Sequence, residues 1–209
     1  MKRIIVQLNV LLLVLALVMA CSRTKEVEEK NNQGAVVKKY SVLKKQPSLK
    51  DGKYVGYYDD GKLQEISNYV EGKLNGERRL YWPNGKLMAK ENYKMNRMDG
   101  YYISQYESGS NESQGKYKDN LQEGVWAFYY EKPANTLKQK LTFKEGRIEG
   151  PASEYYLNGR VESSGNKIEL FEDMDVYDGK IEFYDSLGNL IKIAQYEKGK
   201  QISKEEIKK

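Results

Sequence analysis

The residue types that build most catalytic and metal-binding sites are scarce in this chain. Its 209 residues include no histidine and a single cysteine, Cys21. Zinc sites made of histidine and cysteine, Ser-His-Asp triads and Cys-His dyads all need residues that the chain lacks. A disulfide within the chain is excluded too, because it needs two cysteines. The sequence therefore predicts a protein that is not an enzyme and that holds no cofactor and no metal.

Cys21 stands where a covalent modification is expected. Lys2 and Arg3 precede an apolar stretch over residues 4–19, which is shorter than the ~20 residues of a membrane-spanning helix. That arrangement is typical of a cleaved signal peptide. The segment VMAC, which ends at Cys21, resembles a bacterial lipobox. The resemblance implies that the Cys21 thiol receives a diacylglycerol group and that residues 1–20 are a lipoprotein signal peptide.

A lipid on Cys21 predicts where the protein resides. Two or more acyl chains hold a protein stably on a membrane, so the membrane is one partner and the chain faces away from the cytoplasm. The residue after the cysteine is Ser22 and not the aspartate of the enterobacterial retention signal. The location is therefore the cell membrane or, in an organism with two membranes, the outer membrane. A plain secretory signal with an incidental cysteine and an uncleaved anchor stay open as alternatives.

A cluster of carboxylates near the C-terminus is the one group that could ligate a metal ion. Its members are Glu169, Glu172, Asp173, Asp175 and Asp178. Calcium prefers such oxygen ligands, but an EF-hand loop also needs a central glycine and a closing glutamate. The spacing does not fit that loop, so the sequence predicts a solvated loop here and no metal site.

The rest of the chain is organised by a repeat that begins at a glycine. The starts are Gly52, Gly76, Gly100, Gly124, Gly150 and Gly179, with intervals of 24 residues that widen to 26 and then 29. Five positions later stand Tyr57, Tyr81, Tyr129, Tyr155 and Tyr184, and nine positions later stand Gly61, Gly85, Gly109, Gly159 and Gly188. At seventeen positions stand Tyr69, Tyr93, Tyr117 and Tyr196, with Phe143 in the unit that carries a two-residue insertion. A fixed period of this length is typical of a repeat architecture.

Each unit is predicted to be a β-hairpin followed by a connecting turn. Two runs rich in β-branched and aromatic residues flank turn residues such as those of the segment PNG at Gly85. Gly72, Asn96, Asn120 and Gly146 occupy the second turn, where a left-handed backbone explains these residue types. The sequence predicts an all-β protein with one elongated antiparallel sheet of about six successive hairpins. It also predicts that leucines such as Leu63 share one face with tyrosines such as Tyr69, because their spacing is even.

Two segments of the repeat resemble a known family. They are YWPNGKLMAKENYKMNRMDGYY and EYYLNGRVESSG, which are similar to the variant MORN repeat, including bacterial proteins labelled YwqK-type antitoxins. The resemblance covers about Gly52 to Gly199 and implies a single sheet of hairpins without a catalytic centre. The chain departs from the pattern at Pro133, where a glycine is expected, and at Lys167, where an aromatic residue is expected.

The predicted organisation of the chain has five parts. After the signal peptide, residues 21–34 are polar and are predicted to be a flexible tether. Residues 35–51 are a candidate strand that caps the sheet edge. Residues 52–200 form the MORN-like repeat domain, and residues 201–209 form a charged tail.

The charges give no sign of a nucleic-acid partner. The chain has 35 lysines and arginines against 30 acidic residues, a net charge of +5. These charges are interleaved along the strands, whereas a nucleic-acid groove needs basic residues clustered on one face. We therefore predict no nucleic-acid binding.

Three functions remain for a repeat sheet on a membrane. The first is a non-catalytic binding or scaffold module at the cell envelope with a protein partner. The second is cell-wall glycan binding by exposed aromatic rings, and the third is an antitoxin or immunity protein that acts at the envelope. The candidate binding residues are Tyr57, Tyr81, Trp82, Trp126, Tyr129 and Tyr155, because tyrosine and tryptophan combine an apolar ring with a polar atom.

Overall fold

The described part of the chain forms a single open sheet of 17 antiparallel strands. The computed structural model describes residues 22–171 and 174–207. Cys21 and the predicted signal peptide lie outside the described residues. Among the residues that are described, none belongs to a helix that could span a lipid bilayer.

The strands follow one another closely along the chain. The first nine are β1 (Thr24–Lys30), β2 (Val36–Leu43), β3 (Gln46–Tyr57), β4 (Leu63–Val70), β5 (Lys73–Leu74), β6 (Gly76–Tyr81), β7 (Leu87–Lys94), β8 (Arg97–Met98) and β9 (Gly100–Gln105). The others are β10 (Asn111–Lys118), β11 (Leu121–Tyr129), β12 (Leu137–Lys144), β13 (Arg147–Tyr155), β14 (Val161–Phe171), β15 (Met174–Tyr184), β16 (Leu190–Glu197) and β17 (Lys200–Glu206).

Pairing follows chain order from β1 to β17, so the sheet is a meander. The short strands β5 and β6 both pair with β4, and β8 and β9 both pair with β7. Strands β5 and β6 therefore act together as one interrupted strand, and so do β8 and β9. Strand β1 pairs with β2 and strand β17 pairs with β16. This arrangement confirms the predicted all-β sheet of successive hairpins.

In five of the six units the structure describes the second turn, and there it has a left-handed backbone at two consecutive residues. Glu71 and Gly72 have φ angles of 49° and 81°, and Met95 and Asn96 have 52° and 70°. Asp119-Asn120, Glu145-Gly146 and Lys198-Gly199 repeat the pattern. Two positive φ angles define the type I′ turn, whose twist matches that of a hairpin. The predicted left-handed positions are confirmed.

A bulge in each hairpin decides which side chains share a face. Gly56 pairs with Glu65, but its neighbour Tyr57 pairs with Leu63, so one residue of β4 is left unpaired. The extra residue reverses the alternation of side chains along the strand. Leu63 therefore lies on the face opposite Tyr69. The predicted single stripe of leucine and tyrosine is wrong, because the even spacing ignores this bulge.

One face of the sheet, here called the aromatic face, carries most of the rings. Trp126 lies at its centre with 2% of its surface exposed, and its ring centroid is 5.0 Å from that of Tyr117 and 5.5 Å from that of Tyr102. Leu141, Phe143 and Ala152 complete the buried cluster. Two smaller groups of rings flank it on the same face. They are Tyr40, Tyr54 and Tyr69 at one end, and Tyr177, Phe183 and Tyr196 at the other.

Both ends of the repeat are more ordered than the sequence predicts. The tether prediction for residues 21–34 is wrong over β1, which pairs along its length with β2. Two cross-strand ion pairs join these strands, with Lys38 Nζ 2.6 Å from Glu29 and Lys39 Nζ 2.8 Å from Glu28. Charged segments with little apolar surface of their own are ordered here by a ladder of backbone hydrogen bonds and by such pairs.

Three other predicted segments are also part of the ordered sheet. The strand predicted within residues 35–51 exists, but it is β2, which lies between β1 and β3 and does not form the sheet edge. The tail over residues 201–209 continues the sheet as β17 as far as Glu206. The acidic insertion lengthens β14 and β15 into a long hairpin, so the prediction of a loop is wrong for its described residues.

The close packing of Gly115 against Trp126 gives a test of the aromatic face. A Cβ atom at Gly115 would clash with the indole ring of Trp126, whereas one at Gly56 would meet the Tyr54 ring at 3.3 Å. We expect Gly115→Ala to lower the free energy of unfolding by about 1–3 kcal/mol or more, as overpacking does. Gly56→Ala is the matched control and should cost clearly less. Urea unfolding followed by circular dichroism measures both, and equal costs would contradict the packing described.

Candidate functional site

The aromatic residues at the ends of the first strands form a ladder between units. The Tyr58 hydroxyl donates to the carbonyl of Tyr81 at 2.6 Å, and the Trp82 indole N–H donates to the carbonyl of Gln105 at 3.0 Å. Equivalent hydrogen bonds from a tyrosine hydroxyl to a backbone carbonyl join Tyr106 to Tyr129, Tyr130 to Tyr155, and Tyr156 to Tyr184. Each unit is thus tied to the next by a side chain six positions after its start glycine. This role for Trp82 was not predicted.

The predicted binding residues do not form one surface. Trp126 is buried on the aromatic face, and its indole N–H donates to the carbonyl of Lys116 at 3.1 Å. A stacking role for Trp126 is therefore wrong, because a ligand cannot reach its ring. Tyr57, Tyr81, Tyr129 and Tyr155 are half-buried and pair with Leu63, Leu87, Leu137 and Val161. They form a row along one margin of the sheet.

Polar side chains stabilise the opposite margin, where the second turns lie. Asp51 Oδ1 accepts a hydrogen bond from the backbone N–H of Glu71 at 3.0 Å. Asn75, Glu123 and Asp178 accept from the corresponding N–H of Met95, Glu145 and Lys198. The signal for this role is in the sequence, because an acidic residue or asparagine precedes every start glycine: Asp51, Asn75, Asp99, Glu123, Glu149 and Asp178. The repeat was defined by its glycines, so no role was predicted for these residues.

Arg78 interrupts the rings of the aromatic face. It stands two positions after a start glycine, where Tyr54, Tyr102 and Trp126 stand in other units. Its guanidinium lies 2.9 Å from Glu65 and 3.3 Å from Glu91. Burial alone would lower the pKa of Arg78, but hydrogen bonds and charge attraction from Glu65 and Glu91 raise it. The cation is therefore held between two carboxylates.

Lys167 forms the second such cluster, at the position where the sequence departs from the repeat. Its Nζ lies 2.8 Å from Glu154 and 2.7 Å from Asp175. Ser163 and Tyr177 donate to the second oxygen of Glu154 at 2.9 and 2.7 Å. Burial opposes the charge of Lys167, yet its hydrogen bonds to Asp175 and Glu154 outweigh burial and raise its pKa.

This cluster is unsuited to catalysis. A serine nucleophile with a lysine base needs a neutral amine to take the hydroxyl proton. Here the raised pKa keeps Lys167 protonated at neutral pH, and the hydroxyl of Ser163 is engaged by Glu154. Burial also raises the pKa of Tyr177 to about 12. The cluster stabilises the aromatic face and offers no base.

The acidic segment has structural contacts as well. Asp175 pairs with Lys167 and Asp178 caps a turn, while Glu172 and Asp173 lie outside the described residues. Within the described part of the chain, no group of three acidic side chains is placed to hold a metal ion.

The face opposite the aromatic face carries a shallow hollow at the middle of the sheet. Tyr101 and Val125 are 65% and 63% exposed there, and they alternate with Tyr102 and Trp126 of the other face. The hollow has a volume of about 490 Å³. Ile103 and the buried Ala127 also line it, and Gln114, Lys116, Glu123 and Lys140 supply polar groups. The ammonium of Lys116 lies 4.5 Å from the centre of the Tyr101 ring.

Of the predicted site residues, only Tyr129 reaches the surroundings of this hollow. Its hydroxyl accepts a hydrogen bond from Gln114 Nε2 at 2.8 Å. The hollow itself was missed by sequence reasoning, because Tyr101 lies one position after a start glycine, where the other units have Lys53, Glu77, Val125, Pro151 and Lys180. Because this position differs from unit to unit, the sequence alone does not indicate that Tyr101 is exposed.

Comparison with known proteins agrees with the architecture of the first two units. Two adjacent segments, residues 50–71 and 74–95, match the MORN repeat variant family. Each segment spans one hairpin and ends in its type I′ turn. Repeats of this family generally serve as binding or scaffold modules. No curated protein matches the chain.

The Lys167 cluster predicts a pH dependence of stability. The pKa of Glu154 lies below its ordinary value of 4.5: burial opposes this shift, but hydrogen bonds from Lys167 and Tyr177 outweigh it. Because the folded pKa is lowered, the stabilisation is complete above about pH 4.5 and is lost as the pH falls through the folded pKa. In that window the free energy of unfolding should fall by up to about 1.4 kcal/mol per pH unit through this group.

Glu154→Gln should flatten that part of the profile, measured by urea unfolding between neutral pH and acid. The matched control is Glu206→Gln, which removes an exposed carboxylate paired with Lys204 and should change the slope little, since exposed pairs are weak. An unchanged slope in Glu154→Gln would show that the buried cluster does not couple to folding.

Proposed function

We propose that this protein is a non-catalytic binding module, anchored at the cell envelope by a lipid on Cys21, that holds a protein partner in the hollow around Tyr101. The observation that carries this proposal is the exposure of Tyr101 on β9 and Val125 on β11, which line the same hollow on either side of β10. Contiguous exposed apolar surface with a polar rim is typical of interaction sites, and tyrosine is enriched at their centres.

The surroundings of the hollow support a contact through this face. In the preceding unit, the equivalent surface is occupied by the charged residues Glu77, Arg79 and Lys90, which pair with one another at 2.6 and 2.7 Å. The hollow is thus a local apolar region, whereas the equivalent region of the preceding unit is charged. Gly115 and Gly124 also line it, and residues without side chains let a partner approach the backbone closely.

The edges of the sheet are less suited to binding a partner strand. Strand β1 has the sequence TKEVEEK and strand β17 has KQISKEE, so charged residues dominate both. Charged side chains on edge strands oppose pairing with another chain. A partner is therefore expected on the face of the sheet and not as an added strand.

The envelope location in this proposal rests on the sequence around Cys21. Secretion would present the sheet to partners outside the cytoplasm. The antitoxin role implied by the resemblance to YwqK-type proteins stays a prediction, restricted to a toxin that acts at the envelope. The glycan-binding alternative loses Trp126 as a platform, since that ring is buried.

The experiment is affinity capture from an envelope extract of the source organism with the lipidated full-length protein. Wild type is compared with Tyr101→Ser/Val125→Ser, which removes the apolar surface of the hollow. We expect one protein to be enriched by wild type and its recovery to fall at least about tenfold in the variant, as loss of a central aromatic contact predicts.

The matched control is Leu157→Ser/Leu187→Ser, which removes a similar exposed apolar area at two turns away from the hollow (56% and 67% exposed). Equal loss in both variants would contradict the assignment of the hollow. Retention on insoluble cell wall without an enriched protein would favour glycan binding instead. Cys21→Ser tests the anchor separately, because it should move the protein from the membrane fraction to the soluble fraction.

A further inference from the structure

The sheet begins almost at the proposed attachment point. Strand β1 starts at Thr24, so three residue steps separate its first Cα atom from that of Cys21. A fully extended chain spans at most about 3.6 Å per residue, which gives about 11 Å. The flexible tether predicted for residues 21–34 would have allowed a reach of roughly 20 Å. The fold thus removes the freedom that a lipid anchor usually leaves to the attached domain.

Contacts of Arg23 fix the first residues to the sheet. Its guanidinium donates two hydrogen bonds to Asp51, both at 3.0 Å, and the Asp51 carboxylate is buried. Asp51 also caps the turn at Glu71. The backbone N–H of Lys44 donates to the carbonyl of Arg23 at 3.0 Å. The corner of the sheet that holds the β2–β3 turn is therefore tied directly to the residue two positions after Cys21.

This corner has the chemistry of a surface that meets lipid headgroups. A hollow of about 640 Å³ opens beside Ser22. Leu43 and Leu49 line it with apolar groups, and Lys44, Lys45, Gln46 and Glu71 line it with polar ones. Both lysines are exposed, and within the described residues neither ammonium has an ion-pair partner. Long basic side chains can cover apolar surface while their charge stays in the polar headgroup layer.

We infer that the corner that carries the unpaired charges of Lys44 and Lys45, here called the basic corner, lies against an anionic lipid surface and fixes the orientation of the sheet. This inference rests on the proposed lipid at Cys21. Each lysine near an anionic membrane gains electrostatic attraction that falls off within about 8–10 Å, and the short attachment keeps Lys44 and Lys45 within that range. The strands from β4 onward are added on the side of β3 away from β1, so the hollow at Tyr101 lies several strands from the attachment point.

The test uses the only cysteine of the chain as the attachment site. Cys21–Lys209 contains the whole described sheet, and coupling its thiol to a maleimide lipid in vesicles replaces the natural lipid. Vesicles of phosphatidylcholine alone are compared with vesicles that also contain phosphatidylglycerol, and the reference is the protein coupled to a small soluble maleimide. A membrane-impermeant acetylating reagent and mass spectrometry then give the labelling rate of each lysine.

On phosphatidylglycerol vesicles we expect Lys44 and Lys45 to be labelled about fivefold more slowly than in the reference, as one favourable lysine contact predicts. Lys198 and Lys200 are the matched controls, because they are exposed at the last second turn of the same margin. Their labelling should not change. Added salt should restore labelling at the basic corner.

Three results would overturn the inference. Lys44 and Lys45 could be labelled at the reference rate on both vesicles, they could be protected equally on both, or Lys198 and Lys200 could be protected as strongly. Because the coupling is chemical, none of these outcomes bears on whether the cell attaches a lipid to Cys21. The Cys21→Ser fractionation decides that question independently.

Discussion

Each hairpin of this sheet can bury its aromatic side chains only against the hairpins beside it. The described residues form one layer, in which Trp126 is buried by its neighbours Tyr102, Tyr117 and Phe143. The stability of one unit therefore depends on the units that flank it, as in other repeat proteins. Where a cationic side chain replaces a ring in this row, its charge needs partners of opposite charge on the same face. Arg78 and Lys167 do so by lying between two carboxylates each.

Polar groups hold the two margins of the sheet in register. On one margin, hydroxyl and indole groups such as those of Tyr58 and Trp82 donate to a carbonyl of the next unit. On the other, carboxylate or amide groups such as that of Asp51 cap the type I′ turns. Both devices satisfy backbone groups that a turn would otherwise leave to solvent. The aromatic face and the margins thus serve the architecture, which leaves the opposite face as the surface available for a partner.

The sequence predicted the hairpins and their turns because glycine and asparagine report directly on backbone conformation. Gly72 and Asn96 both have the expected positive φ. The distribution of side chains between faces was not predictable, because the bulge beside Tyr57 depends on pairing and leaves no mark in residue type. Order at residues 24–30 was missed for a related reason, since a charged segment becomes a strand only when a neighbour such as β2 offers a ladder.

The candidate site was the least predictable feature. Tyr101 and Tyr102 are adjacent and chemically identical, yet one is exposed in the hollow and the other packs against Trp126. Their different roles follow from the alternation of a strand whose register the sequence does not show. The proximity of Arg23 and Lys44 beside the point of attachment was not predictable either, because it depends on a backbone hydrogen bond between them.

One continuous sheet runs through the units, and the register of its strands places each turn beside its capping residue. Residue-resolved hydrogen exchange of the native protein tests it most directly. The N–H groups of Glu71, Met95, Glu145 and Lys198 lie in exposed turns but donate to Asp51, Asn75, Glu123 and Asp178. They should be protected to the same degree as amides of the adjoining strands, because opening a turn requires opening its unit. Exchange of these four amides at the rate of an unstructured peptide, with the strands still protected, would contradict the register and the account built on it.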